Sequence, residues 1–243
     1  MKEGRLGDSH SGTQIKICGL TLVDEAVACA EMGADAIGLV FYPPSPRFVS
    51  VQRALEISAS LPANVWKIGV FVDEPLQEIL KRVEFCRLNC VQLHGMEPPE
   101  MVASLESVGI RVIKSLFVKK RPFASEAGLY RASAFLIESG EGLAPGGAGI
   151  GWKWGEAGEL AGRFPCILAG GLNPANVSEA IYEFRPDAVD VSSGVESAPG
   201  RKDAGKVRAF IDAVRNAKLK SHAFNPPFKG RRGDLNGSGR MSK

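Results

Sequence analysis

Eight times along this chain a short, β-prone apolar run gives way to a polar or glycine-containing loop, and that alternation limits what the chain can fold into. The runs occupy residues 15–18, 36–41, 65–72, 90–93, 111–117, 134–137, 165–169 and 188–191. Helical spacing at i, i+3, i+4 and i+7 follows as Val23/Ala26/Val27/Ala30, Ala54/Ile57/Ser58/Leu61, Leu76/Ile79/Leu80/Val83 and Val177/Ala180/Ile181/Phe184, with Val207/Phe210/Ile211/Val214 after the last run. The fourth interval has only the thin stripe Met101, Leu105 and Val108, and the fifth, residues 121–131, is also weak. Thr21 with Asp24, and Ser50, read as helix N-caps; Asn173 before Pro174 offers a cap and a proline at the first helical position. Strands that alternate with helices pair in parallel. Eight such units in about 200 residues predict an α/β fold, a closed (β/α)8 TIM barrel, with a doubly wound open sheet as the alternative.

Composition narrows the rest. The 243 residues suit one barrel, placed at residues 15–217, after a short polar extension at 1–14 and before a tail at 218–243. That tail has seven basic residues against one acid, a local charge of +6 that leaves −3 for the remainder. The balance argues against a nucleic-acid-binding core, and the tail, lacking an apolar period, reads as disordered. No run approaches the roughly 18 apolar residues of a membrane helix, and residues 1–14 lack an apolar signal segment, so the expected location is the cytoplasm. Five scattered cysteines form neither a disulfide framework nor a zinc pattern. Of three histidines, His10 and His222 lie in the terminal segments, which argues against a metal site built on imidazoles.

In a barrel of this type chemistry collects where strands end. The carboxyl ends give Cys18, Arg47, Asp73, His94, Glu138, Gly170-Gly171 and Ser192-Ser193-Gly194 in chain order. Taken singly each has an ordinary reading: Cys18 as a small hydrophobe, Asp73 as a loop acid, His94 as a loop brace. Together they form a constellation. The glycines after the seventh run and the hydroxyls and glycine after the eighth suit the phosphate site recurrent at that place. Arg47, after three prolines, suits a carboxylate. One thiol and one carboxyl group between them are the minimum for a general base and a general acid.

The motifs "KICGLT", "GADAIGLVFYPPSPRFVS", "GVFV", "VQLHG", "GGAGIGW", "AGGLNPANV" and "VDVSSGVE" stand in one order from about residue 15 to 214. In these the chain resembles the phosphoribosylanthranilate isomerase family of tryptophan biosynthesis. The resemblance implies a cofactor-free Amadori rearrangement of N-(5′-phosphoribosyl)anthranilate to 1-(2-carboxyphenylamino)-1-deoxyribulose 5-phosphate. It makes Cys18 the general base and places the general acid at Glu138. It puts Arg47 on the anthranilate carboxylate and Gly170, Gly171, Ser192, Ser193 and Gly194 on the phosphate; His94 and Asp190 complete the expected substrate-binding set. The only partner expected is this small molecule, with no nucleic acid and no membrane, for a monomer or homodimer.

One residue departs from the family, whose acid is usually an aspartate. The extra methylene of Glu138 moves the carboxyl group by about one C–C bond, and a misplacement near 1 Å can cost on the order of 100-fold in rate. The chemistry also demands that Cys18 be partly thiolate through a nearby cation and that Glu138 stay protonated in a dry site. A metal-dependent epimerase and the histidine-pathway isomerase fit worse, the first for lack of ligands and the second for its pair of aspartates. A diverged phosphate-binding barrel that has lost its acid is the non-catalytic alternative.

Overall fold

All eight apolar runs become strands, and the strands close on themselves. In the computed structural model, which describes residues 12–140 and 153–217, the strands are β1 (Gln14–Cys18), β2 (Ala36–Val40), β3 (Trp66–Phe71), β4 (Cys90–Leu93), β5 (Arg111–Phe117), β6 (Ala134–Glu138), β7 (Cys166–Leu168) and β8 (Ala188–Val191). They lie in chain order as a closed parallel barrel, and β1 completes it by pairing with β8, Lys16 beside Asp190. The readings made for residues 1–11, for "GGAGIGW" at 146–152 and for the tail at 218–243 fall outside the described residues.

Helices α1 (Val23–Glu31), α2 (Val51–Ser60), α3 (Leu76–Phe85), α4 (Pro99–Ser107), α5 (Gly158–Ala161), α6 (Val177–Phe184) and α7 (Ala204–Asn216) cover the outside. The fifth interval carries only a 3-10 helix, Ala124–Leu129. Its buried residues, Ala124 and Ala127, repeat at three, the 3-10 period, so there is no stripe to hold an α-helix.

Strand alternation sorts side chains into two apolar layers and a polar one. Ile15, Ile17, Ile37, Leu39 and Val91 point outward and pack against the helices. Ala36, Ile68, Cys90, Ile113, Leu136 and Ile167 point inward and fill the lumen. Fully burying an isoleucine or leucine of this kind contributes about 1.5–3 kcal/mol. One step nearer the carboxyl ends, the inward positions change character to Cys18, His94, Glu138 and Asp190.

Two of the three caps differ from expectation. Ser50 caps α2 by accepting from the Arg53 amide at 3.2 Å. Thr21 does not cap α1; its hydroxyl donates to the Gly200 carbonyl at 2.7 Å and ties the loop after β1 to the chain beyond β8. Asn173 folds into an Asx turn instead, its Oδ1 accepting from the Ala175 amide at 2.8 Å. The start of α6 is thereby displaced to Val177 behind Asn176, and Asn176 Nδ2 donates to the Gly171 carbonyl at 2.9 Å, bracing the glycine loop.

Candidate active site

A pocket opens at the carboxyl ends of the strands. Cys18, Arg47, His94, Glu138, Gly170, Gly171, Asp190, Ser192 and Ser193 all line it. These residues come from both halves of the sequence, and barrel closure between β1 and β8 is what brings Ser192 to Cys18, where its hydroxyl donates to the Cys18 carbonyl at 3.0 Å.

The glycine loop after β7 has consecutive left-handed residues, Gly170 at φ +85° and Gly171 at φ +73°, a conformation that leaves backbone N–H groups free to approach an anion. Gly194 does not line the pocket but sets the distance between the two loops. A Cβ there would overlap the Leu172 carbonyl oxygen and sit 2.9 Å from the carbon behind it. Backbone cannot yield as a side-chain tip can, so Gly194→Ala must part the loops. We expect a loss of about 1–3 kcal/mol, read as a lowered Tm, with KM raised for a phosphorylated substrate; an unchanged Tm and KM would show that the loops tolerate separation.

The carboxyl group of Glu138 ends β6, where the strand's inward alternation carries it across the barrel mouth. Its Oε1 lies 3.2 Å from His94 Nε2. His94 is held in turn through Nδ1, 2.7 Å from the Ser115 hydroxyl and 2.9 Å from Gln92 Nε2. An amide nitrogen can only donate, so Nδ1 accepts, and Nε2 carries the hydrogen that faces Glu138. Burial alone would raise the pKa of Glu138, but His94, its hydrogen bond, and Lys120 and Lys16 beyond it together hold the carboxyl below the ordinary carboxylate range.

Cys18 behaves in the opposite sense. Burial pushes its thiol above the ordinary value and the carboxylate of Asp190 adds to this, while Lys16 and Lys202 oppose it without reversing it. The free protein therefore favours thiol at Cys18 and carboxylate at Glu138, the reverse of the protonation states expected from the chemistry. The physical reason lies in the polar neighbours: Glu138 is buried, but His94 and the lumen ammonium of Lys16 make its surroundings anything but apolar.

Arg47 is also not free. Its Nε and Nη2 donate to the two carboxylate oxygens of Glu196 at 2.8 and 2.7 Å, and Lys202 Nζ donates to Glu196 Oε1 at 2.7 Å. These hydrogen bonds keep Glu196 ionised despite burial. The pairing fixes the plane of the guanidinium and leaves Nη1 for another acceptor. Sequence reasoning missed Glu196 and Lys202, since nothing local links them to Arg47. It also passed over Lys16, Gln92 and Ser115, although a period of two from Cys18 and His94 points Lys16 and Gln92 into the same space. Among the described residues, no group of three or more His, Cys, Asp or Glu could hold a metal ion, and all five cysteines are free and buried.

A closed parallel barrel with a glycine loop after its seventh strand and ionisable side chains facing one pocket at the strand ends defines a (β/α)8-barrel enzyme. The profile of N-(5′-phosphoribosyl)anthranilate isomerase matches residues 15–213, and the chain belongs to that family. It is 50% identical over 198 residues to the N-(5′-phosphoribosyl)anthranilate isomerase of Desulfatibacillum aliphaticivorans, covering 82% of this chain and 91% of that one. The crystal structure of phosphoribosyl anthranilate isomerase from Thermotoga maritima superposes with a TM-score of 0.78 at 40% identity, covering 84% of this chain and 98% of that one. A phosphoribosyl anthranilate isomerase in complex with reduced 1-(o-carboxyphenylamino)-1-deoxyribulose 5-phosphate superposes with a TM-score of 0.75, also at 40% identity and with the same coverage.

Proposed function

We propose that Cys18 and Glu138 convert N-(5′-phosphoribosyl)anthranilate to 1-(2-carboxyphenylamino)-1-deoxyribulose 5-phosphate as general base and general acid, without a cofactor. The observation that carries this reading is the arrangement of one pocket: a thiol and a carboxyl group in its wall, the glycine and serine loops at one place and the Arg47 guanidinium at another. The relative solved with the reduced product analogue has the same fold at 40% identity. The substrate's phosphate lies against the backbone of Gly170, Gly171, Ser192 and Ser193, and its anthranilate carboxylate takes the open edge of Arg47.

Glu138 gives its proton to the furanose ring oxygen as the C1′–O bond breaks, which leaves an open-chain Schiff base. The Cys18 thiolate then takes the C2′ proton, and the enolamine tautomerises to the ketone. His94 holds the glutamate in place, which offsets the extra methylene relative to the family's aspartate. The small phosphosugar is the only partner this requires, and we place the reaction in the cytoplasm, where amino-acid precursors are made.

The direct test mixes purified protein with freshly made phosphoribosylanthranilate and follows the substrate's anthranilate fluorescence. Saturable loss of signal, with the carboxyphenylamino-deoxyribulose phosphate recovered as product, is the expected outcome. A stable signal with substrate shown to be intact would leave a binding barrel without isomerase activity.

A further inference from the structure

Lys16 is fully buried in the barrel lumen, 0% exposed, two residues before Cys18 on the same inward face of β1. Taking an ammonium out of water is costly unless it is paired, and a lumen of this kind could be filled by an apolar side chain of similar length. Yet Nζ donates to Asp190 Oδ1 at 2.9 Å, on the strand beside it, and the Cys18 thiol is the second group that acts on its charge. The space for this arrangement comes from the other neighbouring strand. Gly38 pairs with Cys18 across β1 and β2, and a Cβ on it would lie 2.7 Å from Cys18 Sγ and 3.1 Å from Lys16 Nζ. One glycine thus leaves open the corner that sulfur and nitrogen both border.

We propose that Lys16 is a positioning residue for the proton-abstracting base: held by Asp190 and given room by Gly38, its ammonium is the counter-charge against which the Cys18 thiolate forms. The inference rests on Cys18 being the base but concerns how that thiolate is made. The charged groups facing the sulfur are Lys16 on β1, Asp190 on β8, Lys202 beyond β8 and Arg47 in the loop after β2. Lys202 and Arg47 are already engaged by Glu196, whereas Asp190 opposes the thiolate. Lys16 is the cation that shares the inward face of β1 with the sulfur and borders the same open corner at Gly38, and of the cations it acts on Cys18 most strongly. Burial alone would lower its own pKa, but Asp190 and Cys18 raise it above the ordinary lysine value, so the counter-charge persists across the working pH range.

The test reads the thiol rather than turnover. Iodoacetamide alkylation at Cys18, located by mass spectrometry and followed against pH, gives the thiolate midpoint in wild type and in Lys16→Met. An opposite charge at contact distance shifts a midpoint by about 1–3 units, so an upward shift of that size is expected in the variant. Activity supplies a second signature: kcat/KM of Lys16→Met should fall at neutral pH, by less than the thiolate shift alone because Lys16 also holds the Glu138 carboxyl down, and the deficit should close toward alkaline pH, where both are thiolate. A packing defect would instead lower activity at every pH.

If Lys16→Met does not fold, the reciprocal measurement needs no lysine variant. The 15N resonance of Lys16 Nζ should show a titration step at the Cys18 midpoint in wild type and lose it in Cys18→Ser, because coupling between two sites is mutual. An unmoved alkylation midpoint, or an Nζ signal without that step, overturns the proposal. Because alkylation requires no substrate, a protein that lacked isomerase activity would still answer the question about Lys16.

Discussion

Cys18→Ala is expected to lower kcat by about 10³–10⁴-fold while leaving KM within a few-fold of wild type. The upper part of the range of about 10²–10⁴-fold assigned to a positioned acid or base applies because no second group stands ready to take the C2′ proton. Lys16 shares the inward face of β1 with Cys18, but it is an ammonium hydrogen-bonded to Asp190, and His94 and Glu138 face one another at the β4 and β6 ends of the pocket. A loss confined to kcat would mean that the thiol acts in the transition state and not in binding. Alanine leaves a small void at a residue 8% exposed, so folding should survive and product affinity should be preserved. Substrate turnover within tenfold of wild type would remove Cys18 from the role of base.

The difference between what the sequence revealed and what it hid follows sequence distance. β1 to β8 were legible because each is a short apolar run bounded by turn formers, and a parallel barrel buries both faces of every strand. The helix of the fifth interval was not, since two alanines spaced by three, Ala124 and Ala127, cannot show an α-helical stripe. Cys18, His94 and Glu138 stood out because each ends a strand. Lys16 did not, since its meaning lies in Asp190, 174 positions away, and the same holds for Arg47 and Glu196, 149 positions apart. Even with the residues named, the protonation states were misread: the sequence shows a glutamate at a strand end but not the His94 side chain, set by Ser115 and Gln92, that keeps it ionised.

Glu138→Gln carries that last point into an experiment. The glutamine amide oxygen can accept from His94 Nε2 as the carboxylate does, so the local hydrogen bonds persist while the transferable proton is lost. We expect kcat to fall by about 10²–10⁴-fold with product affinity retained. The pH profile distinguishes this from a general defect. Glu138 sits below the ordinary carboxylate range and Cys18 above the ordinary thiol value, so the active form, thiolate with protonated carboxyl, is a minority at every pH. Between the two pKa values the gain in thiolate with rising pH is cancelled by the loss of protonated Glu138. The wild-type kcat/KM should therefore be flat through neutrality, falling by about tenfold per unit below the Glu138 pKa and again above that of Cys18. In Glu138→Gln the cancellation disappears, and the residual activity should climb with pH as the thiolate forms. A residual profile parallel to that of wild type would mean that a group other than Glu138 supplies the proton to the ring oxygen.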